Sequence, residues 1–317
     1  MVDRLLAAPW IALLLLGACR STPSDAGAPD GAGTGPRTTG TRVVLLGTGT
    51  PRPEPEREGP CTAVLAGGRA YLFDAGTGLV RRAAAAFHAG QDELEPKRLS
   101  RVFFTHLHSD HTLGYPDLIL TPWVVGRAEP LEAYGPPGLQ AMTDHILAAW
   151  DEDIVVRRDG AERNDPAGVR VNVHEVGPGP VYRDENVTVT AFAVAHGSWP
   201  IAYGYRVEAA ERTIVLSGDT TATDAIVRAC DGCDVLVHEV YAVAGFDELP
   251  PDWQAYHGSF HTSTADLARI AAAARPELLV LIHPLLWKDR RNPQVLLDEV
   301  ARGWNGRAVL GRDLDVY

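Results

Sequence analysis

The sequence predicts a mixed α/β domain, and three patterns support that assignment. Short apolar runs bounded by glycine and proline, such as Arg42–Leu46 and Tyr71–Phe73, are typical of strands. The alanine-rich run Leu79–His88 and the apolar residues at helical spacing in Leu139–Trp150 predict helices. The last third of the chain repeats a strand–helix pattern. Short strands first and interspersed helices later indicate two sheets flanked by helices.

The predicted elements follow one another without a second linker or a short-period repeat. The predicted strands are Arg42–Leu46, Thr62–Ala66, Tyr71–Phe73, Val102–Thr105, Val171–Val176, Val187–Val194, Ala202–Val207, Thr213–Leu216, Val235–Val237, Leu278–Ile282 and Ala308–Leu310. The predicted helices are Leu79–His88, Leu118–Val125, Leu139–Trp150, Thr264–Ala274 and Pro293–Arg302. Residues 42–317 are therefore expected to form one domain.

Composition limits the kind of partner. The chain has 317 residues, of which 45% are hydrophobic, so it can bury a large core. Its formal net charge is −12 and it has no basic run, which disfavours a nucleic-acid partner because phosphate binding needs clustered Lys and Arg. A small substrate at a locally cationic metal site is compatible with this charge. The sequence leaves the oligomeric state open, with a homodimer among the alternatives.

The N-terminus predicts export. Residues 1–18 combine an early Arg4 with the apolar run Leu5–Ala18, which is too short to span a bilayer and is typical of a signal peptide. Leu16-Gly-Ala-Cys19 resembles a bacterial lipobox, which implies cleavage before Cys19 and a lipid anchor on its thiol. An ordinary signal peptide with an incidental Cys19 is the alternative. Residues 19–41 predict a flexible tether, so the expected location is the cell envelope, facing the periplasm.

Two further cysteines are three residues apart. An oxidising compartment permits a bond between Cys230 and Cys233. The alternative, which the sequence slightly favours, is two small residues at a helix end.

The hexapeptide His106-Leu-His-Ser-Asp-His111 predicts a metal site. Four possible ligands fall within six residues, directly after an apolar strand. His106 and His108 can point the same way because alternate strand residues share a face. Imidazoles and a carboxylate suit zinc, and also iron or manganese. A surface histidine run is the alternative, but burying so many polar groups without a metal would be costly.

Three more polar residues follow predicted strands. His196 comes after Val187–Val194, Asp219 after Thr213–Leu216, and His283 after Leu278–Ile282. Functional residues often lie where strands run out into loops. Taken singly, each could equally be a turn residue or a cap.

Together these segments resemble the metallo-β-lactamase superfamily, in particular its ribonuclease Z/arylsulfatase branch. The resemblance spans nearly all of residues 42–283. It is carried by Gly47-Thr-Gly-Thr-Pro51, Leu72-Phe-Asp-Ala-Gly-Thr-Gly78, the hexapeptide with Thr112-Leu-Gly114, Tyr134-Gly-Pro-Pro-Gly138, His196 with Gly204-Tyr-Arg206, Ser217-Gly-Asp-Thr220, His238-Glu239, His261-Thr-Ser-Thr264 and His283.

The resemblance implies a four-layer αββα sandwich and two divalent metal ions, zinc foremost, with manganese or iron as alternatives. Asp219 would bridge the two metals together with a hydroxide. The implied ligands are His106, His108, His196 and Asp219 for one metal, and Asp110, His111, Asp219 and His283 for the other.

The resemblance also implies catalytic roles. Asp110 would orient or accept the proton of the nucleophile. His261 would donate a proton to the leaving group, and Glu239 would orient His261. A metal-activated water and an acid are sufficient for ester hydrolysis.

The resemblance to the ribonuclease Z/arylsulfatase branch suggests a small-molecule ester as substrate. Ser109–Trp123 looks like the exported arylsulfatase-like members, so a sulfate ester, or a related phosphate ester, is the first expectation. Residues 197–218 leave no room for the tRNA-grasping arm of ribonuclease Z. The alternatives are a cyclic-nucleotide or RNA phosphodiesterase, and a lipid-anchored metal-binding protein without activity. Candidate substrate-binding residues are Trp123 and Arg206, and an aromatic pocket could also include Tyr115, Trp199 and Trp287.

Overall fold

The computed structural model of the protein describes residues 40–288 and 292–317. The predicted signal peptide, Cys19 and all but the last two residues of the predicted tether lie outside the described residues. Across the described ranges, no helix is long and apolar enough to cross a membrane.

The first sheet has its strands in chain order, β1-β2-β3-β4-β5-β6. The first three strands pair antiparallel and the later ones parallel. Every residue of β2 is buried, as expected for a strand covered on both faces. The strands are β1 Arg42–Gly47, β2 Cys61–Ala66, β3 Arg69–Phe73, β4 Arg101–Phe103, β5 Leu131–Gly135 and β6 Val171–Glu175.

The second sheet has the order β13-β12-β11-β10-β9-β8-β7. Strands β7 to β10 form an antiparallel meander, and β10 to β13 pair parallel. The strands are β7 Gly179–Arg183, β8 Val187–Val194, β9 Ala202–Ala209, β10 Thr213–Leu216, β11 Val235–Tyr241, β12 Leu278–Leu285 and β13 Ala308–Leu310.

Helices cover the outer face of each sheet. The described helices are α1 Leu79–His88, α2 Ser109–Thr112, α3 Tyr115–Val124, α4 Leu139–Ala149, α5 Asp151–Asp159, α6 Asp224–Cys230, α7 Pro251–Phe260, α8 Thr264–Ala274 and α9 Gln294–Val300. Apolar residues of α1, α3 and α4 share a core with the first sheet. Those of α6, α8 and α9 share one with the second sheet. A third core of residues from both sheets lies between them. The predicted mixed α/β class and the four-layer αββα arrangement are confirmed.

Element bounds depart from the predictions where a local pattern is weak. Helices α1 and α8 have the predicted bounds, whereas α3 begins three residues early at Tyr115. Its Pro116 is tolerated because a proline in the first turn removes no intrahelical hydrogen bond. Strand β7 does not match the prediction because its glycine and proline are typical of a turn, and α7 because its Gly258 and polar residues obscure the spacing of its aromatic residues.

Cys230 and Cys233 form a disulfide, so the interpretation favoured by the sequence is wrong here. The chain between α6 and β11 turns through Asp231 and Gly232, both with positive φ. This tight turn brings the two Cα atoms to 4.7 Å, within the range that a disulfide spans.

Candidate metal centre

Six of the seven predicted ligands follow the C-terminal ends of β4, β8 and β10, which bring them together at one edge of the two sheets. His106 and His108 follow β4, and the short helix α2 carries Asp110 and His111. His196 follows β8 and Asp219 follows β10. All of these side chains except that of His108 are buried, so the cluster is a desolvated polar site inside the sandwich.

His283 lies within β12 and reaches the cluster through a bulge. Ile282 pairs with Glu239 and Pro284 pairs with Val240, which leaves His283 unpaired in the β11–β12 ladder. Its φ is 48°, and its backbone N–H donates to the Thr48 carbonyl at 3.0 Å. A bulge changes the direction of a single side chain. The imidazole of His283 consequently points to the cluster.

Three imidazoles form the first half of the centre. His108 Nδ1 lies 2.9 Å from Nε2 of His106 and 3.1 Å from Nε2 of His196. His196 Nδ1 lies 2.8 Å from the Phe260 carbonyl oxygen, so Nδ1 carries the proton and Nε2 a lone pair. The Thr105 hydroxyl donates its one proton to Asp74 and therefore accepts from His106 Nδ1. His106 Nε2 then also carries a lone pair.

The assigned tautomers fit a cation. Two lone pairs face His108 Nδ1, and a single N–H at that position could satisfy only one of them well. A divalent cation can be bound by all three nitrogens, and neutral imidazoles are the usual zinc ligands. Burial, reinforced by His196, lowers the pKa of His108 to about 4, so its ring is neutral at physiological pH.

Carboxylates and two imidazoles form the second half. Nε2 of His111 lies 3.5 Å from both Asp110 and Asp219, and Nε2 of His283 lies 3.4 Å from Asp110 and 3.5 Å from Asp219. The buried Nε2 of His111 has no hydrogen-bond partner among the described residues. A carboxylate oxygen of Asp219 also lies within 4.8 Å of a ring nitrogen of His106, so Asp219 faces both halves of the centre.

The charges of the second half also suit cations. Burial opposes ionisation of Asp219, yet His283 and His111 hold its pKa well below the usual value. Burial likewise opposes charge on His111, but Asp219 and Asp74 raise its pKa well above the ordinary range. These carboxylates therefore attract positive charge into a buried site, which metal ions can provide.

His261 and Glu239 lie beside the second half. Nδ1 of His261 is 3.3 Å from Glu239 Oε2 and 4.0 Å from Asp219 Oδ2. The other oxygen of Glu239 accepts from the Thr262 backbone N–H at 2.7 Å. Burial lowers the pKa of His261 to about 4, whereas burial and Asp219 raise that of Glu239 well above its ordinary value. The two side chains are in close contact, although neither His261 Nδ1 nor Glu239 Oε2 has a hydrogen-bond partner among the described residues.

The structure brings together all nine residues predicted as ligands or catalytic groups, but not the predicted substrate-binding pair. Trp123 is buried in the core under the first sheet, where its indole N–H donates to the Asp165 carbonyl at 2.8 Å. Arg206 donates to the Ala229 carbonyl and pairs with Glu208. Both expectations are corrected, because neighbouring elements already engage these side chains.

Asp74 and Phe260 also contact the cluster, although the sequence analysis gave neither of them a role. Asp74 accepts from the backbone and hydroxyl of Thr105 and lies 2.8 Å from His111 Nδ1. It follows β3, so the rule that strand-end polar residues gather at one edge could have identified it. Phe260 packs on His196 with ring centroids 4.8 Å apart, and no periodic pattern signals its position.

Known proteins are similar to this chain over most of its length. The sequence profile described as "Beta-lactamase superfamily domain" matches residues 69–284. A protein named Ribonuclease Z from Mycobacterium bovis (strain BCG / Pasteur 1173P2) is 33% identical over 278 residues, which cover 86% of this chain and 96% of that protein.

Solved structures share the fold. A metallo-beta-lactamase fold protein from Bacillus subtilis matches with a TM-score of 0.65 and 18% identity, over 87% of this chain and 98% of that one. The short form of human tRNase Z matches with a TM-score of 0.63 and 24% identity, over the same shares. At these identities the likeness concerns the fold alone.

Proposed function

This chain belongs to the β-lactamase superfamily as a metal-dependent hydrolase, and we propose that the bond it hydrolyses is a phosphodiester. One observation carries the proposal: Asp219 lies within 4.8 Å of ligand atoms in both halves of the centre, those of His106 and His196 in the first and that of His111 in the second. A pair of metal sites at such a shared carboxylate suits in-line displacement at phosphorus, in which attacking and leaving oxygens both need stabilisation.

The proposed ligands divide as the sequence analysis expects. When bound, two divalent cations supply Lewis acidity and a water whose pKa is near 7. We assign zinc foremost, because imidazole and carboxylate ligands suit it. The first metal would be bound by His106, His108, His196 and Asp219, and the second by Asp110, His111, Asp219 and His283.

Asp110, His261 and Glu239 are the groups that take part in proton transfer in this proposal. Asp110 is buried at 8% exposure beside His111 and His283, where its carboxylate can orient the attacking water. His261, neutral at its lowered pKa of about 4, would give an N–H proton to the leaving oxygen while its Nδ1 takes a proton from the Glu239 carboxyl 3.3 Å away, and Glu239, fixed by the Thr262 N–H, orients the imidazole. The leaving alcohol then departs neutral, which lowers the barrier for a poor leaving group.

Phosphodiesters are favoured over sulfate esters by two findings. Similar proteins carry the name Ribonuclease Z, and that name conflicts with the expectation that nucleic acid is disfavoured. The segment that suggested an arylsulfatase also contributes less than expected to the site. Its Tyr115 and Trp123 are buried, bonding to Thr143 and Asp165 respectively. RNA consequently belongs among the substrates to be tested, and a sulfate ester is the second candidate.

A parallel assay tests the proposal. Metal-loaded protein would be given bis(4-nitrophenyl) phosphate, 4-nitrophenyl sulfate, a 2′,3′-cyclic nucleotide and a 3′-extended tRNA precursor. We expect turnover of at least one phosphodiester, with Asp110→Ala and His261→Ala each reducing kcat by at least 100-fold. Sulfate turnover exceeding that of every phosphodiester would overturn the proposal. Equal residual rates in wild type and both variants would refute hydrolysis at this centre.

We also propose that the chain is exported to the cell envelope and anchored through Cys19. The Cys230–Cys233 disulfide supports this location, because such bonds persist in oxidising compartments. Labelling cells with a palmitate analogue should mark the wild-type protein and not a Cys19→Ser variant. Equal labelling of both, or recovery of the unlabelled protein in the cytosolic fraction, would contradict the anchor.

A further inference from the structure

Helix α7 carries two rows of rings that lead to the metal centre. In the first row, Trp253 stacks on His257 with centroids 5.5 Å apart, and His257 lies 5.9 Å from His261. In the second row, Tyr256 stacks on Phe260 at 4.3 Å. Residues four apart share a helix face, so each row is continuous. Both rows end at groups of the proposed active site.

The outer ends of the two rows are exposed. Trp253 is 54% exposed and Tyr256 is 40% exposed, although both are large aromatic residues. The ring of Tyr256 packs on Phe260, which itself lies 4.8 Å from the ring of His196. Tyr256 therefore presents free aromatic surface two rings away from a proposed metal ligand.

A further aromatic side chain near the centre, that of Trp199, lies in the loop after β8. The Trp199 backbone N–H donates to the His196 carbonyl at 2.9 Å, which closes a turn directly after that ligand. The Trp199 ring lies 4.3 Å from His108 and 5.8 Å from His106. His108 also faces Phe260 at 6.4 Å. The histidines of the first half of the centre therefore contact both Trp199, through His106 and His108, and the α7 ring of Phe260, through His108 and His196.

We propose that Tyr256 and Trp199 bind the planar aromatic ring of the ester, so that aryl or nucleoside phosphodiesters are the preferred substrates; this rests on the proposed function. Aromatic side chains favour flat partners because offset stacking adds to the burial of apolar area. His261 directly follows α7, so the proton donor and the ring-binding surface lie side by side. A ring on the leaving alcohol can thus contact α7 while its oxygen faces His261.

Binding measurements can test this independently of turnover. Calorimetric titration of metal-loaded protein would compare two pairs of ligands that share a phosphorus headgroup and differ in the ring. Phenylphosphonate is paired with cyclohexylphosphonate, and adenosine 5′-monophosphate with ribose 5-phosphate. We expect the aromatic member of at least one pair to bind about five- to tenfold tighter. The pair with the larger ratio identifies an aryl ring or a nucleobase as the occupant.

Variants test whether the preference for an aromatic ring depends on Tyr256 and Trp199. Tyr256→Leu and Trp199→Leu should reduce the ratio, whereas Tyr256→Phe should keep it because the ring is retained. Trp150→Leu is the matched control, since Trp150 is 41% exposed at the end of α4 and contacts none of the rings described above. Metal content and circular dichroism would verify that each variant is folded.

Two results would overturn the inference: no preference for the ring in either pair, or a preference unchanged in both leucine variants. A ring preference without phosphodiester turnover would support the ring site while refuting the proposed reaction, so the two failures are distinguishable.

Discussion

Asp74 Oδ2 lies 2.8 Å from His111 Nδ1, and the same carboxylate accepts the hydroxyl of Thr105, which in turn contacts His106. One buried side chain thereby fixes the ring orientation of a proposed ligand in each half of the centre. Asp74 has a φ of 62°, and its backbone N–H donates to the Phe103 carbonyl at 2.8 Å. The turn after β3 is thus built around this contact.

Replacing Asp74 with Asn should weaken metal binding. The amide can still accept one hydrogen bond, but it no longer supplies a charged acceptor for His111 and Thr105. We expect metal affinity to fall by about 10- to 100-fold, the usual effect of removing a carboxylate that orients a ligand imidazole. Competition with a chromogenic chelator would measure it. Asp184→Asn is the control, since Asp184 accepts hydrogen bonds in the turn between β7 and β8. Equal affinity losses in both variants would contradict the orienting role.

Arg127→Lys should destabilise the fold strongly. The guanidinium is buried, and burial lowers its pKa to about 10. Lysine cannot reproduce the planar set of N–H donors of the guanidinium. Several buried carbonyls would therefore lose their donors, at a cost of about 3 kcal/mol in the free energy of unfolding. Urea denaturation would measure the loss against Arg157→Lys, a partly exposed arginine that pairs with Asp153 and should tolerate the change. Matching midpoints for the two variants would refute the prediction. The four carbonyls that Arg127 binds belong to Leu99, Leu118, Ile119 and Gly168.

His238 should make the protein acid-sensitive. Burial lowers the pKa of its imidazole to about 4, and its Nε2 has no partner among the described residues. The unfolded chain, with a pKa near 6.5, then binds the proton more readily. Stability from the neutral ring is present above pH 6.5 and is lost as the pH falls to about 4, by about 3 kcal/mol. The unfolding free energy of His238→Leu should decline less between pH 7 and 4.5. Parallel pH curves for the two proteins would be inconsistent with this account.

The Cys230–Cys233 disulfide in the turn between α6 and β11 should stabilise the fold. Replacing Cys230 and Cys233 together with Ala should lower the unfolding free energy by about 2 kcal/mol, because the closed loop is short. Mass spectrometry after alkylation under denaturing, non-reducing conditions checks the bond itself. Within the described residues, the alkylating reagent should then modify Cys61 alone. Modification of Cys230 or Cys233 without reductant would exclude the disulfide.

The α/β class, most strand and helix positions and the proposed ligand set could be predicted from the sequence. Strand periodicity and the His106–His111 hexapeptide are local patterns, so they can be recognised without knowing the fold. His196 and Asp219 do follow strand ends, as the sequence predicts, whereas His283 lies within β12 and reaches the cluster through a bulge. The disulfide, by contrast, depends on a turn with two positive-φ residues, so the sequence left it as the slightly less favoured of two interpretations.

The side chains that surround the candidate metal centre could be identified only from the fold. Trp123 and Arg206 lie near recognisable motifs in sequence, yet other elements engage them, since a side chain's partners are set by packing across layers. Tyr256 is distant from the hexapeptide in the chain, yet it comes within two rings of His196 because it stacks on Phe260 at the end of α7. Contacts between residues far apart in sequence carry no local pattern, so the coordinates were needed to find them.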